Sequence, residues 1–269
     1  MRIITLMEDT CGNPNCESEH GLSIFVETKK HKLFVDTGAG EKTWWNAKTL
    51  GVDLTKIDTV VLSHGHYDHS GGIMGFHKVN SNAPIYMQRK AVNKYYHDER
   101  YIGIDPAIQT LPSVQLLNGD FVIDDELSLF ANINGRRFWP QANLVLSEQI
   151  GETKVQDCFE HEQCLVIQEE KTVLISGCAH NGILNILDRY EEIYHGMPDV
   201  VISGFHMMKK IDYTKEEIVQ IQQTAKELVQ YDTVFYTGHC TGQKAIDLMK
   251  PIMGEQLIQI HSGMEITCR

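Results

Sequence analysis

The sequence has no long apolar run. None of its 269 residues lies in a stretch that approaches the roughly 20 apolar residues of a membrane-spanning helix, so we expect no membrane contact. The N-terminal segment turns acidic at Glu8 and Asp9 before an apolar segment of useful length develops, and it has no small-residue cleavage site. It does not resemble a signal peptide, and we therefore expect a cytoplasmic protein.

Basic residues are scarce relative to acidic ones. The chain has 24 Lys and Arg against 36 Asp and Glu, which gives a formal net charge of -12. A field of this sign repels phosphate backbones and anionic lipid headgroups, so we expect neither a nucleic-acid partner nor a membrane partner. A small-molecule substrate is the expected partner, and the composition leaves the oligomeric state open.

Several familiar motifs are absent. The sequence contains no Gly-x-Gly-x-x-Gly, no Walker loop and no Gly-x-Ser-x-Gly, so nothing indicates a nucleotide cofactor or a serine nucleophile. The 7 cysteines, at positions 11, 16, 158, 164, 178, 240 and 268, are odd in number and scattered, which suits reduced thiols better than a disulfide framework. Cys11 and Cys16 have no second cysteine pair, so we predict no zinc site there.

The chain is predicted to form a single domain, residues 1–269. Its 7 prolines, 22% charged residues and 42% hydrophobic residues are ordinary globular values, and neither repeats nor linkers divide it. Apolar patterning predicts strands at residues 2–7, 22–27, 31–36, 59–63, 115–117, 127–132, 144–147, 164–168, 172–176, 200–203 and 233–236. Helical spacing predicts helices at residues 42–50, 216–231 and 243–249, and a helical excursion over residues 89–110. Two halves, each with strands followed by a helix, predict packed sheets with helices outside.

Histidine is abundant, and it concentrates in one segment. Of 13 histidines, His64, His66 and His69 stand together with Asp68 directly after a short apolar run. Residues i and i+2 at the end of a strand project to the same side, so His64 and His66 can converge on one ion. The turn before Gly71 lets Asp68 and His69 reach a second ion. Imidazole and carboxylate ligands together suit zinc, iron or manganese.

The pattern His-x-His-x-Asp-His after a buried strand resembles the metal-binding signature of the metallo-β-lactamase superfamily. Asp36, Thr37 and Gly38 are similar to the upstream turn of that superfamily, and the likeness extends over nearly the whole chain. The resemblance implies an α/β (α+β) fold, a four-layer αβ/βα sandwich with the metals at the shared edge of its two sheets. It also implies two divalent transition-metal ions.

The resemblance leaves two candidates for the third histidine of the first metal. Residues 161–167 and 173–178 resemble a histidine followed by a pair of strands. This layout makes His161 a metal ligand and puts Cys178 at the position that bridges the two metals. Residues 177–182 instead resemble a block of the dihydropterin-ribofuranosyl-aminobenzene-phosphate-synthase-like hydrolases, which makes His180 the ligand. We favour His180, because the turn after a strand at the metal edge points its side chains at the metals, and His161 remains the alternative. Aspartate is usual at the bridging position in glyoxalase II, so Cys178 makes classical thioesterase activity less expected.

The same branch supplies expectations for three more histidines. Residues 237–242 resemble its last ligand block, which assigns His239 to the second metal. His206 also follows a predicted strand, and we expect it to be catalytic, lining the substrate pocket or donating to the intermediate, with a buried structural histidine as the alternative. Residues 18–23 resemble the N-terminal block of the branch, which places His20 near the mouth of the pocket.

Two cations about 3.5 to 4 Å apart can share a hydroxide at neutral pH, because they lower the pKa of water to about 7. We therefore predict a metal-dependent hydrolase that acts on a small-molecule ester, phosphodiester or lactone-type substrate, with Zn²⁺ expected and Fe or Mn as alternatives. Asp68 is predicted to be catalytic as well as a ligand, because it can orient the attacking water. An iron-dependent oxidoreductase of the same fold and a metal-free binding module are the alternative functions.

Overall fold

The computed structural model describes residues 1–266, in which strands and helices alternate along the chain. The strands are β1 (Arg2–Met7), β2 (Ser23–Glu27), β3 (Lys32–Val35), β4 (Thr59–Val61), β5 (Ile85–Gln88), β6 (Lys94–His97), β7 (Arg100–Tyr101), β8 (Val114–Leu117), β9 (Phe121–Val122), β10 (Leu127–Phe130), β11 (Leu146–Ile150), β12 (Thr153–Gln156), β13 (Cys164–Gln168), β14 (Thr172–Ser176), β15 (Val200–Ile202), β16 (Val234–Thr237), β17 (Leu257–Gln259) and β18 (Glu265–Ile266). The α-helices are α1 (Lys42–Thr49), α2 (Tyr67–Ser70), α3 (Ile73–Val79), α4 (Ile183–Tyr194), α5 (Lys215–Leu228) and α6 (Gln243–Met253).

Two seven-stranded sheets form the centre of the described structure. Their strand orders are β18-β1-β2-β3-β4-β5-β8 and β17-β16-β15-β14-β13-β10-β9, and a separate four-stranded sheet has the order β12-β11-β6-β7. Strands β3, β4, β5 and β8 run parallel in the first sheet, as do β14, β15, β16 and β17 in the second. The loops that leave the carboxyl ends of parallel strands meet at one edge of a sheet, which is where α/β proteins build their sites.

Apolar residues cover both faces of each sheet. Leu165 and Ile167 of β13 belong to the core between the two sheets, whereas Cys164 and Val166 point outward into a second core that they share with α4, α5 and α6. Phe34 of β3 packs into a third core, with residues of α1 and α3. Helices, sheet, sheet and helices therefore form four layers, and the predicted αβ/βα sandwich is confirmed.

The prediction of a helical excursion over residues 89–110 is wrong. This segment contains the hairpin of β6 and β7, with short 3₁₀ helices at Arg89–Val92 and Ile108–Thr110. Tyr95 and Tyr96 favour a strand, and Asp98 takes a positive φ of 52° that reverses the chain. Helix α4 was not predicted, although its buried face packs against the second sheet.

None of the helices in residues 1–266 is both long enough and apolar enough to cross a membrane. Cysteines 11, 16, 158, 164, 178 and 240 are free thiols. Cys268 lies outside the described residues.

Candidate metal centre

The histidine-rich segment consists of the loop after β4 and the short helix α2, at the edge where the parallel strands end. His64, His66, Asp68 and His69 are all buried, and His66 immediately precedes α2. The backbone N–H of His66 donates to the carbonyl of His64 at 3.0 Å, so the chain turns tightly between the two histidines. The sequence therefore places four metal-binding side chains inside the protein rather than on a solvated turn.

Three histidines from two strand ends converge and define the first half-site: His64, His66 and His180. Their ligand nitrogens lie within 4.8 Å of one another. The Nε2 atoms of His64 and His180 are 3.3 Å apart, and the ring of His66 packs edge-on against the ring of His180 at 4.9 Å between centroids. The structure thus brings together three of the predicted first-metal candidates.

The other ring nitrogens of this half-site have protein partners that orient the rings. Ser63 Oγ donates to Asp36 Oδ2 at 2.6 Å and therefore accepts from Nδ1 of His64, at 2.8 Å. Nδ1 of His180 donates to Asn143 Oδ1 at 2.9 Å. With the proton held on Nδ1, Nε2 of each ring keeps its lone pair for a cation, which is the usual arrangement around metal-binding histidines.

The second half-site consists of Asp68, His69 and His239. Asp68 Oδ2 lies 3.7 Å from Nε2 of His69 and 3.4 Å from Nε2 of His239. The opposite nitrogens here face carboxylates, because Nδ1 of His69 is 2.6 Å from Asp36 and Nδ1 of His239 is 2.6 Å from Asp9. These two aspartates follow β3 and β1, and they orient the histidines from behind.

Cys178 lies between the two half-sites. Its Sγ is 3.2 Å from Nε2 of His69, and it forms potential ligand groups with His64 and His69 and with His180 and His206. Cys178 follows β14 and is buried. Its thiol is therefore close to both candidate metal positions. Burial, together with the neighbouring Cys240, raises the pKa of this thiol well above the usual value.

His161 does not join the group. Its Nδ1 accepts the backbone N–H of Gly65 at 2.9 Å, and its Nε2 is 3.1 Å from Asp157 Oδ2. Both ring nitrogens are therefore engaged by the protein, and neither is free to bind a cation. The contact to Gly65 holds the loop between the two histidines of the first half-site.

His206 lies at the rim of the first half-site. Its ring is 4.1 Å from the ring of His180, and its nitrogens are close enough to Cys178 to form a ligand group. The backbone of His206 has a positive φ of 48°, an uncommon conformation that clusters at functional sites. The structure thus brings His206 beside the half-site without giving it a place among the three converging nitrogens.

The charge states differ between the two half-sites. Burial lowers the pKa of His64 and His180 well below the usual value, and it lowers the pKa of His66 to about 3, with help from the neighbouring histidines. These rings are neutral at pH 7, which is the form that binds metals. In contrast, the pKa of His239 is raised well above its usual value, because its contacts with Asp68 and Asp9 outweigh the effect of burial.

The unpartnered atoms fit a metal centre. Within residues 1–266, Nε2 of His66, Nδ1 of His206 and Nε2 of His239 are buried without a hydrogen-bond partner. Buried polar atoms nearly always have one, so three unpartnered imidazole nitrogens in one cluster of histidine rings fit the binding of a cation. Imidazole, carboxylate and thiol donors suit a divalent transition metal, and the residues present fit two such ions.

Sequence reasoning did not find the residues that orient the histidines. Asp9, Asn143 and Asp157 are polar and buried or half-buried. Asp9 and Asn143 lie 230 and 37 residues from His239 and His180, whereas Asp157 is 4 residues before His161. Asp9 offered a signal, because it is the second of two acidic residues that follow the first predicted strand. Short polar side chains in loops are otherwise too common to single out.

Comparisons with known proteins agree with this geometry. Residues 19–135 match the model of the metallo-beta-lactamase superfamily. The chain is 30% identical to 7,8-dihydropterin-6-methyl-4-(beta-D-ribofuranosyl)-aminobenzene-5'-phosphate synthase of Methanocaldococcus jannaschii, over 98% of this chain and 95% of the relative. The likeness thus extends well beyond the part that carries the histidine-rich loop.

Solved structures give the same result. Tm1679, described as a metal-dependent hydrolase of the beta-lactamase superfamily, superposes with a TM-score of 0.83 at 30% identity, covering 99% of this chain and 98% of its own. The metallo-beta-lactamase fold protein YhfI of Bacillus subtilis has a TM-score of 0.56 at 14% identity, with 98% of both chains covered, and supports the fold alone. This chain belongs to the metallo-β-lactamase superfamily, in the branch that resembles the dihydropterin-ribofuranosyl-aminobenzene-phosphate synthase.

Proposed function

We propose that this protein is a metal-dependent hydrolase of a small-molecule ester, phosphodiester or lactone-type substrate. The observation that carries the proposal is the convergence of buried imidazole nitrogens and one carboxylate in a single cluster, in which several nitrogens have no protein partner. The similarity to Tm1679 over the whole chain supports the same reaction class.

We assign one divalent ion to each half-site. His64, His66 and His180 would hold the first ion, and Asp68, His69 and His239 would hold the second. When bound, two such ions supply a Lewis acid and a nucleophile derived from water at neutral pH. Zinc suits this donor set, and iron and manganese suit it too.

The chain's own residues orient the reactants. The pKa of Asp68 is lowered, because the charges of His69, His239 and His20 outweigh the effect of burial. Its carboxylate therefore stays ionised at neutral pH. An ionised Asp68 accepts a hydrogen bond from the attacking water and directs the water lone pair toward the substrate. Nδ1 of His206, which lacks a protein partner, is assigned a contact to the substrate.

Two arginines that contact residues next in sequence to His66 and His180 support a phosphate-bearing substrate. The guanidinium of Arg100 lies 4.8 Å from the ring centre of Tyr67, which directly follows a ligand histidine in sequence. The guanidinium of Arg136 lies 5.8 Å from the ring centre of Trp139. Planar cations beside aromatic rings suit a small molecule with a phosphate and a flat ring. The relative's name describes a compound with both groups, which favours this substrate class here.

A synthase is the second candidate. The 30% identical relative is named as a synthase that forms a dihydropterin linked to a ribofuranosyl-aminobenzene phosphate. The same site would serve that reaction if the acceptor were an aromatic compound rather than water. The two candidates share the metal centre and differ in what attacks the substrate.

Kinetic assays distinguish the two candidates. Protein stripped by a chelator and reloaded with Zn²⁺, Mn²⁺ or Fe²⁺ is assayed on model phosphodiesters, lactones and esters, beside Asp68→Ala and the surface control His97→Ala. We expect metal-dependent hydrolysis of at least one class, lost in Asp68→Ala and kept in His97→Ala. No hydrolysis by the reloaded protein, with coupling of an activated dihydropterin to the ribofuranosyl-aminobenzene phosphate, would contradict the hydrolase and support the synthase.

A further inference from the structure

His20 lies in the loop between β1 and β2 and reaches the second half-site from the solvent side. Its side chain is 45% exposed, whereas the side chain of His239 beside it is 1% exposed. The two rings stack, with 4.7 Å between their centroids and 29° between their planes. His20 is therefore the accessible member of a histidine pair at the edge of the cavity.

One carboxylate orients both rings of this pair. Asp9 Oδ2 is 2.8 Å from Nδ1 of His20, and Asp9 Oδ1 is 2.6 Å from Nδ1 of His239. Because Asp9 takes both Nδ1 protons, the Nε2 atoms of the two rings are left to face the cavity as lone-pair donors.

The two Nε2 atoms stand in equivalent positions around Asp68. Nε2 of His20 is 3.3 Å from Asp68 Oδ2, and Nε2 of His239 is 3.4 Å from the same oxygen. In a tetrahedral zinc site with bonds of about 2.0 to 2.1 Å, neighbouring ligand atoms are about 3.3 to 3.4 Å apart. The spacing around Asp68 is therefore that of ligands around one ion, and His20 fits it as closely as His239 does.

We propose that His20 binds the second ion through Nε2, as a fourth protein ligand beside Asp68, His69 and His239. The proposal rests on the proposed two-metal function. A fourth protein ligand gives the two half-sites different roles. Sites with four protein ligands hold a metal firmly, whereas sites with three protein ligands keep one coordination position open for the substrate. The first half-site, with three histidines, is then the one that receives the substrate oxygen.

Metal affinity tests the proposal without relying on activity. The wild type, His20→Ala and His20→Gln are titrated with Zn²⁺ against a competing chelator, and the two binding constants are extracted. His97→Ala is the matched control, because His97 is also 45% exposed and contacts an aspartate, Asp98, at 3.2 Å. Unfolding of each variant in excess chelator checks that the metal-free fold is unchanged.

We expect both His20 variants to bind the first ion normally and the second at least about 100-fold more weakly, since loss of mere supporting contacts already costs 10- to 100-fold. His97→Ala should match the wild type. If both His20 variants hold two ions with unchanged affinity, His20 is not a ligand, whatever happens to turnover. A wild type that binds no ion would instead overturn the proposed function itself.

Discussion

Replacing Gly65 by alanine tests whether the loop is built to hold two histidines in fixed positions. Gly65 lies between His64 and His66, and a methyl group on it would lie 2.4 Å from the carbonyl oxygen and 2.9 Å from the Cα of Ala91. Both are backbone atoms, so no side-chain rotation relieves the overlap. Ordinary contact begins at 3.4 Å, so one of the two backbones must move by about 1 Å.

A displacement of that size is several times what a metal site tolerates, because ligand distances must stay within about 0.2 Å of their ideal values. We expect Gly65→Ala to weaken binding of the first ion at least about 100-fold. The overlap should also lower the free energy of unfolding by about 1 to 3 kcal/mol, the usual cost of overpacking. Chelator competition and urea unfolding measure the two effects.

Gly40→Ala provides the control. No heavy atom would lie within 4 Å of the added methyl group at Gly40, and its backbone φ is not positive. This variant should keep both metal affinity and stability. A Gly65→Ala protein that binds both ions as tightly as the wild type, at normal stability, would refute the reasoning that the packed backbone positions the ligands.

Three further predictions concern single side chains. Asp68→Ala should lower kcat by about 100-fold or more with a smaller effect on KM, and full turnover with full metal content would leave Asp68 a structural role only. His180→Ala should release the first ion, whereas His161→Ala should weaken the binding of that ion by at most 10- to 100-fold, since His161 acts through the loop. Equal loss of affinity in the two variants, measured by chelator titration, would contradict this. His31 has two aspartate partners whose hydrogen bonds outweigh burial and raise its pKa, so the stabilisation is present below about pH 6.5 and is lost as the pH rises through the folded-state pKa. His31→Gln should therefore cost about 0.5 to 1 kcal/mol in urea unfolding at pH 5.5 and less at pH 9, and an equal cost at both would refute it.

Much of the fold follows from local sequence patterns. Strands β13 and β14 were predicted with the bounds that they have, because apolar residues buried on both faces form continuous runs between polar residues. The hairpin of β6 and β7 was missed because tyrosines spaced along a charged segment match a helical pattern as well as a strand. Pairing with β11, about 50 residues later in the chain, decides between them.

Part of the candidate site also follows from local sequence patterns, and part of it does not. The histidine-rich loop was predicted because four potential ligands within six positions, directly after a buried strand, are typical of a metal site and unusual elsewhere. The choice between His161 and His180 depends on their hydrogen-bond partners, and the two that decide it, Gly65 and Asn143, lie far along the chain. The loop N–H of Gly65, 96 residues away, occupies Nδ1 of His161, whereas Asn143 leaves Nε2 of His180 free. No local pattern reveals which nitrogen remains available.

Anomalous diffraction from crystals grown with the bound metal tests the central claim most directly. Data collected at the absorption edge of the ion identify the element and locate every ion in the protein. We expect two peaks, one beside His64, His66 and His180 and one beside Asp68 and His239. Crystals with no anomalous peak in this cavity, from protein saturated with Zn²⁺, Mn²⁺ or Fe²⁺, would contradict the assignment of a two-metal centre.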